Sequence, residues 1–541
     1  EVAIEYFPAD GAAQWWTFRA PASWTPVRAG LTVHHPGFPP FSIDHLKQPF
    51  SLATYSVPTP PGGSQAKLVF VSNTQSLPGM QGAVAVLGKQ EFESGDMLSR
   101  LAACGALGFV TDAACRSTGN GKEEQGRIEL SQDTPLFGFS ILSRDLKQLK
   151  DLALAGAQAH VSIEVERSAR MPVVTALLPG RQSSPEVWLI AHLCHPRPGA
   201  NDNASGVAAL LGIAAAYTAA IKENKDWRPD RNIRFVWGPE FLGVTALLHR
   251  HLARQEAFPC AVINLDMVGE NQQLCGGPFV VERPPDSIAG WMAPVAEYIT
   301  HEVFSRTAEA GGEWVPMPFM GFSDHSVFVT FPPGAMAAQV VQFCHVDDRF
   351  NHSSGDSVDK VSEVEMLRAT VAGAALSYAA ANSQALQKEI GGIVNDWCVM
   401  EGERMETLAA RYASSHQEWA EGLLQYTAAR NAALRSGKPP VNSEASAGDG
   451  KYYSAGWQGP LNIRAMLTLL RPQRRAEVSG LIRSDKNNYT VLLLLALGAD
   501  GQSTRSQIIR RASFSLQKPL DSDTAQLMFD ALLEAGVMVE R

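Results

Sequence analysis

Apolar residues along this chain fall into short runs bounded by glycine, proline and polar loops, and several runs end at a charged or imidazole side chain. Val187 to Ala191 is continuously apolar, as in a strand buried on both faces, and His192 follows it. A loop with Pro196, Pro198 and Gly199 leads to Asn201-Asp202-Asn203, and Ser205-Gly206 open a small-residue helix near Val207. Ile233 to Trp237 alternates and stops at Gly-Pro, with Glu240 just beyond. Cys260 to Glu270 predicts another buried strand with Asp266 at its tip, and Arg349 to Val361 a polar loop carrying His352 and Asp356 ahead of a helix. Strands alternating with helices over residues 171–382 predict an α/β domain, a twisted mixed sheet with helices on both faces.

Outside this core the pattern changes. Residues 1–60, rich in Trp, Pro and Phe, are expected to pack on the core as an N-terminal segment, with Trp15 and Trp16 as packing residues. Residues 61–170 contain KLVFVSN and GAVAVLG as strands, MLSRLAACGALGFVTD as helix then strand, and TPLFGFSILSRDLKQLKDLALAGAQAHVSIEV as strand, helix, strand. Residues 383–455 predict a helical connector, its Trp, Met and Leu positions at near-helical spacing, ending in a linker at Ser436–Lys451. Residues 456–541 predict helices at 489–497, 503–512 and 523–535 and a short final strand.

Size and charge narrow the function. A chain of 541 residues holds several domains, and 45% hydrophobic with 19% charged residues describes a water-soluble one. A formal net charge of −9 argues against nucleic-acid binding by the whole molecule. Seven scattered cysteines without a CxxC fit a reducing compartment, hence a cytoplasmic location. No uninterrupted apolar run reaches the roughly 18 residues of a membrane span. The opening EVAIEYFPAD has neither the basic nor the apolar region of a secretory signal, although the absence of an initiating Met leaves room for residues ahead of it.

The chemistry lies at the strand ends. Each acidic residue or histidine alone reads as a surface-loop or helix-capping residue, and Glu240 as an acid favoured by a helix dipole. Together, His192, Asp202, Glu240, Asp266 and His352 converge on the carboxyl edge of one sheet, where open α/β folds bind ligands. Imidazole and carboxylate side chains suit a zinc-type ion, and such a cluster is costly to hold without a cation.

The phrases AHL, GANDNASG, VWGPEFLG, INLDMVG, SDHSVF and NHSSGDS, in this order over about Met171 to Ala381, resemble the M28 family of zinc aminopeptidases. The wording HLCHP followed by NDNASG, and the Pro-Glu after the next strand, are closer to an uncharacterised aminopeptidase-like subgroup, the DUF4910 type. The resemblance implies that His192, Asp202 and Asp266 hold one metal, that Asp202 bridges to a second held by His352, and that Glu240 is the general base. It also implies that Asp356 orients the last metal loop, and that the peptide after Asp202 is cis. It further implies a β-rich protease-associated (PA) domain at 61–170, walling the cleft, and a winged helix at 456–541.

Two positions depart from the family pattern. Phe241 stands where a second Glu usually ligates, and Cys194 where an Asp usually supports the first histidine. One or two zinc ions are therefore expected, one fully liganded, with His195, Cys194 or Asp356 as substitutes at the other. His325 is read evenly as a pocket residue or a structural histidine, and Ser205 as a helix-start residue. The expected function is zinc-dependent amide hydrolysis, removing an N-terminal residue from a peptide or aminoacyl compound. The alternatives are an amide hydrolase or acyl-transfer enzyme on a small non-peptide metabolite, and a binding or scaffold protein with a degenerate site. The C-terminal domain, with eleven Lys and Arg against eight Asp and Glu, has few spare cations for DNA, and its apolar run Val491–Leu497, with Leu527, Phe529, Leu532 and Leu533, is expected to supply a core and an adjoining patch for contact between proteins, self-association first. A homo-oligomer is expected; a membrane partner is not.

Overall fold

The computed structural model describes residues 2–119, 121–195, 199–288, 290–437 and 450–541. Most of the linker expected at Ser436–Lys451, and the loop residues Pro196 and Pro198, lie outside them. The predicted α/β architecture is present as an eight-stranded mixed sheet. Its strands run in the order Val2–Phe7, Met171–Leu178, Arg231–Gly238, Gln182–His192, Ala261–Leu265, Gln339–His345, Phe279–Glu282 and Trp314–Met317. The four central strands are mutually parallel, which sends their carboxyl ends, and His192 and Asp266 with them, to one edge. Val187, Trp188, Leu189 and Ile190 are fully buried, because helices cover both faces of this sheet.

The helix after His192 begins in an irregular turn, Ala200–Ser205, and continues as Gly206–Glu223. Gly206 is required there: a Cβ would lie 2.1 Å from the carbonyl oxygen of Leu265, so the helix starts in backbone contact with the neighbouring strand. The stretch Ala200–Glu223 is also, among the described residues, the one helix long and apolar enough to cross a bilayer. One face of it packs on the core, with Ala209, Leu210 and Ile213 buried, and it lies beside the helix Glu363–Ala381.

Residues 1–60 do not act as one segment on the core. Val2–Phe7 pairs antiparallel with Met171–Leu178 in the catalytic sheet, while Thr25–Val33 and Phe41–Asp44 join a second, seven-stranded sheet formed mostly by residues 64–166. The reason is register: Thr25–Val33 runs beside Gln158–Glu166 and completes its apolar face with Ala29, Leu31 and Val33. Four strands of this second sheet are parallel, two short helices lie between Val84–Leu87 and Gly108–Thr111, and the helix Ser143–Leu154 follows Phe137–Ser140, so the unit is mixed α/β in construction.

The helices Gln387–Tyr412 and Gln417–Ser436 pack on each other and anchor to the catalytic domain through buried charge. Arg283 binds Glu297 at 2.5 Å and Glu401 at 2.9 Å, and Arg430 binds Glu401 at 2.7 Å and Asp286 at 3.1 Å.

The C-terminal helices Asn487–Leu497, Arg505–Ser515 and Ser522–Glu534 lie close to their predicted positions; Ile463–Leu467 and Pro472–Ser484 escaped the sequence reading. The final strand Met538–Glu540 pairs with Tyr453–Ala455, so the unit begins ahead of residue 456. The run Val491–Leu497 is buried within the chain itself, as its core reading expects. It shares one apolar core with Trp15, Val236, Leu247 and Phe328. The Nε1–H of Trp457 donates to the carbonyl of Thr330 at 3.1 Å, and the Thr490 hydroxyl to that of Met320 at 2.6 Å. Trp16 packs as expected, against Gly459 and edge-on to Phe331. Leu493, 1% exposed, presses on the backbone of Gly321. Leu493→Ala is expected to destabilise the whole chain by about 2–5 kcal/mol, read as one lowered denaturation midpoint. A separate early transition confined to the C-terminal helices would contradict the shared core.

Candidate metal centre and active site

The 200–206 turn is latched by its own side chains. Asn203 donates to the carbonyl of Leu265 at 3.0 Å and accepts from the N–H groups of Gly206 at 3.0 Å and Met267 at 3.1 Å. Ser205 does not cap the helix through its side chain: its hydroxyl donates to the carbonyl of Asn201 at 2.7 Å and accepts from the N–H of Val268 at 3.0 Å. The Asp202–Asn203 peptide is cis, as the resemblance implied. Asp356 accepts the N–H groups of Asn201 at 2.7 Å and Asp202 at 3.0 Å. Both its oxygens are thereby engaged with backbone, and it is not aimed at a metal.

This latch presents the Asp202 carboxylate, 4% exposed, between two groups of donors. Oδ1 lies 3.1 Å from Nε2 of His192, whose Nε2 is also 3.1 Å from Oδ1 of Asp266. Oδ2 lies 3.1 Å from Nε2 of His195 and 3.0 Å from Nε2 of His352. Donor atoms of His192, Glu240 and Asp266 fall within 4.8 Å of one another, and so do those of His195, Asp202 and His352. His195 thus stands where Phe241 cannot serve. Two ligands on one zinc at about 2.1 Å and a tetrahedral angle stand roughly 3.4 Å apart, so these spacings are close to the edges of a coordination polyhedron. The donor set, imidazole and carboxylate with one carboxylate shared, fits zinc.

The neighbours set proton affinities. Burial opposes charge on His192, but the charge of Asp266 and the hydrogen bonds from Asp202 and Asp266 outweigh it and hold its pKa well above the ordinary value. Asp202 is likewise opposed by burial, yet its three histidine contacts draw it well below the usual carboxylate range. His352 is lowered, chiefly by burial, with the nearby Arg127 charge adding. Glu240 is pushed up to about 8 by burial, and by the charges of Asp266, Asp324 and Asp202 against the opposing charge of His192.

Glu240 sits on the turn that leaves the strand Arg231–Gly238. Its N–H donates to the Cys194 sulfur at 3.1 Å, and the next N–H, of Phe241, donates to Oδ1 of Asp324. Phe241 takes a positive φ of 57° to make that contact. Cys194 therefore holds the base turn more closely than it holds His192, whose Nδ1 is 3.9 Å from its sulfur. Asp324, 1% exposed and pushed up by burial to about 7, was overlooked in the sequence although it belongs to the quoted phrase SDHSVF. Its neighbour Ser323 donates to Oδ2 of Asp266 at 2.7 Å. His325 is structural: it is 1% exposed and bonds Oε1 of Glu282 at 2.8 Å, behind the site.

The second domain and the C-terminal unit both reach the site. Gly126 forms a β-bridge with Ser353, the N–H of Arg127 donates to the carbonyl of His352 at 2.9 Å, and Ser354 donates to the carbonyl of Gln125 at 2.8 Å. From the other unit, the Arg464 guanidinium lies 5.9 Å from the centre of the Phe241 ring, and Tyr489 packs 5.5 Å from Phe322.

The sequence model described as Peptidase family M28 matches residues 173–376, the stretch that supplies every strand-end residue above. Among solved structures the chain is similar to a zinc aminopeptidase from Bacillus subtilis, at 18% identity and a TM-score of 0.49, over 71% of this chain and 86% of that one. It is also similar to an aminopeptidase from Aneurinibacillus sp. strain AM-1, at 19% identity and a TM-score of 0.40, over 71% and 84%. A glutaminyl cyclase from an Acidobacteriales bacterium matches at 16% identity and a TM-score of 0.29, over 42% and 76%. No curated protein matches.

Proposed function

We propose, for a metal-dependent peptidase whose M28 domain spans residues 173–376, that the reaction is removal of an N-terminal residue from a peptide or aminoacyl compound, with zinc as the metal. The observation that carries this reading is the buried Asp202 carboxylate, one oxygen directed to His192 and the other to His195 and His352. His192, Asp266 and one oxygen of Asp202 would hold one ion; His195, His352 and the other oxygen would hold a second. Zinc in such a site supplies Lewis acidity, acidifying a water and polarising a carbonyl. Glu240 takes the proton of the attacking water and delivers it to the leaving amine. Asp324 and Cys194 hold the backbone on either side of Glu240 in place, and Ser323 fixes the second oxygen of Asp266. The strands that carry the cluster are backed by two apolar cores, one that includes the helix Gly206–Glu223 and one that includes the C-terminal unit.

The test is a panel of aminoacyl anilides set against N-acyl amino acids, with the zinc-loaded full chain and the same chain after chelation. Release of aniline from substrates with a free α-amino group, lost on chelation and restored by zinc, is expected. Hydrolysis of the N-acyl compounds alone would transfer the protein to the non-peptide amide hydrolases, and zinc binding with no turnover to the scaffold reading.

A further inference from the structure

Arg127 belongs to the second sheet's domain, yet its side chain lies against His352 of the metal centre. Its backbone is fixed first. The bridge from Gly126 to Ser353 and the N–H of Arg127 on the carbonyl of His352 attach it to the loop that carries His352. Gly126 allows this approach because a Cβ there would lie 1.9 Å from the carbonyl oxygen of Ala114. One terminal nitrogen of the guanidinium is 3.4 Å from both Nδ1 and Nε2 of His352, so it rests against the ring instead of on one lone pair. The loop is positioned by main-chain bonds, and the side chain is not needed for that purpose.

The charge is poorly matched. Among the described residues the ion-pair partner of Arg127 is Glu129 at 3.9 Å, with the Glu129 side chain 56% exposed, and a long solvent-exposed pair of that kind contributes little. On its other side stands the group His195, Asp202 and His352, which becomes more positive when it holds a cation. A guanidinium beside a cationic centre is stabilised by an anion that contacts both, and its planar fork matches a carboxylate. The Arg127 side chain is 25% exposed, so solvent and small solutes can reach it.

We infer that Arg127 binds a carboxylate of the substrate beside the metal centre, which makes dipeptides and other short substrates with an anionic group near the scissile bond the preferred class. The inference rests on the peptidase reading above and adds the residue that recognises the substrate's charge.

The experiment measures equilibrium binding by calorimetry to the zinc-loaded full chain. The probes are a dipeptide analogue with a reduced, uncleavable CH2–NH linkage, Leu-Leu in sequence, and the same compound with its carboxylate converted to carboxamide. Wild-type protein is expected to bind the carboxylate at least about tenfold more tightly, the range of a charge-assisted hydrogen bond. Arg127→Ala should abolish the preference and leave carboxamide affinity and zinc content unchanged, and Arg127→Lys should restore part of it. A preference that survives Arg127→Ala, or one lost in Arg464→Ala instead, overturns the assignment. Loss of zinc in Arg127→Ala also overturns it, since the residue would then act through His352. Wild-type protein that cleaves aminoacyl anilides but binds the two probes equally refutes the inference alone. Failure to bind either probe, together with failure to cleave any anilide, refutes both.

Discussion

Glu240→Gln is expected to lower kcat by about 10²- to 10⁴-fold while leaving the zinc content of the protein unchanged. The amide keeps the shape of the side chain and removes only its capacity to accept a proton. The backbone of this turn is held from outside the side chain, through the N–H of Glu240 on the Cys194 sulfur and that of Phe241 on Asp324, so the substitution should not displace it. Burial and three neighbouring carboxylates push Glu240 up to about 8. A cation held by His192, Asp202 and Asp266 would oppose those carboxylates and lower the proton affinity of Glu240, which favours its acting as a base. Steady-state kinetics with elemental analysis of the same preparations checks this. Because Glu240 lies in one donor group with His192 and Asp266, loss of metal from the variant would identify it as a ligand and leave the chain without its assigned base.

What the sequence revealed of this site follows from the geometry of strands. A buried strand in a parallel sheet is written as an apolar run, and its last residue has one direction in which to project. His192, Glu240 and Asp266 could be placed on one edge before any coordinates, as could the sheet that carries them. His195 was harder to place because it follows the strand by three residues, in a loop whose course periodicity does not record. Asp324 and Arg127 were overlooked for a related reason. Each acts across a long sequence separation, on Phe241 and His352, through contacts that leave no local pattern. The same limit explains the N-terminal segment. Thr25–Val33 alternates as a half-buried strand should, but nothing local names Gln158–Glu166 as its partner. At the C-terminal end an apolar run announces burial without saying against what, and Val491–Leu497 is covered mainly by the neighbouring C-terminal helices, with Leu493 reaching Gly321 of the catalytic domain.

Asp202→Ala is expected to remove most bound zinc and, with it, measurable hydrolysis. The residue has no redundancy: Oδ1 faces His192 and Oδ2 faces both His195 and His352, so truncation takes one ligand from each donor group at once. What remains is three imidazoles and Asp266 around a methyl group, and a site that has lost its shared anion no longer offsets the charge of two divalent ions. The fold should persist, because Asp356 grips the backbone N–H groups of residues 201 and 202, and Asn203 and Ser205 tie the turn to residues 265–268. Circular dichroism should therefore stay native, while the stabilisation that added zinc gives wild-type protein disappears from the thermal transition. His195→Ala supplies the graded comparison: it takes one ligand from one group only, and should halve the zinc bound per chain if two ions are held. Undiminished zinc in Asp202→Ala would place the metal elsewhere and dissolve the assignment of all four histidine and aspartate ligands around it. Undiminished zinc in His195→Ala with full loss in Asp202→Ala would restrict the centre to a single ion at His192, Asp202 and Asp266.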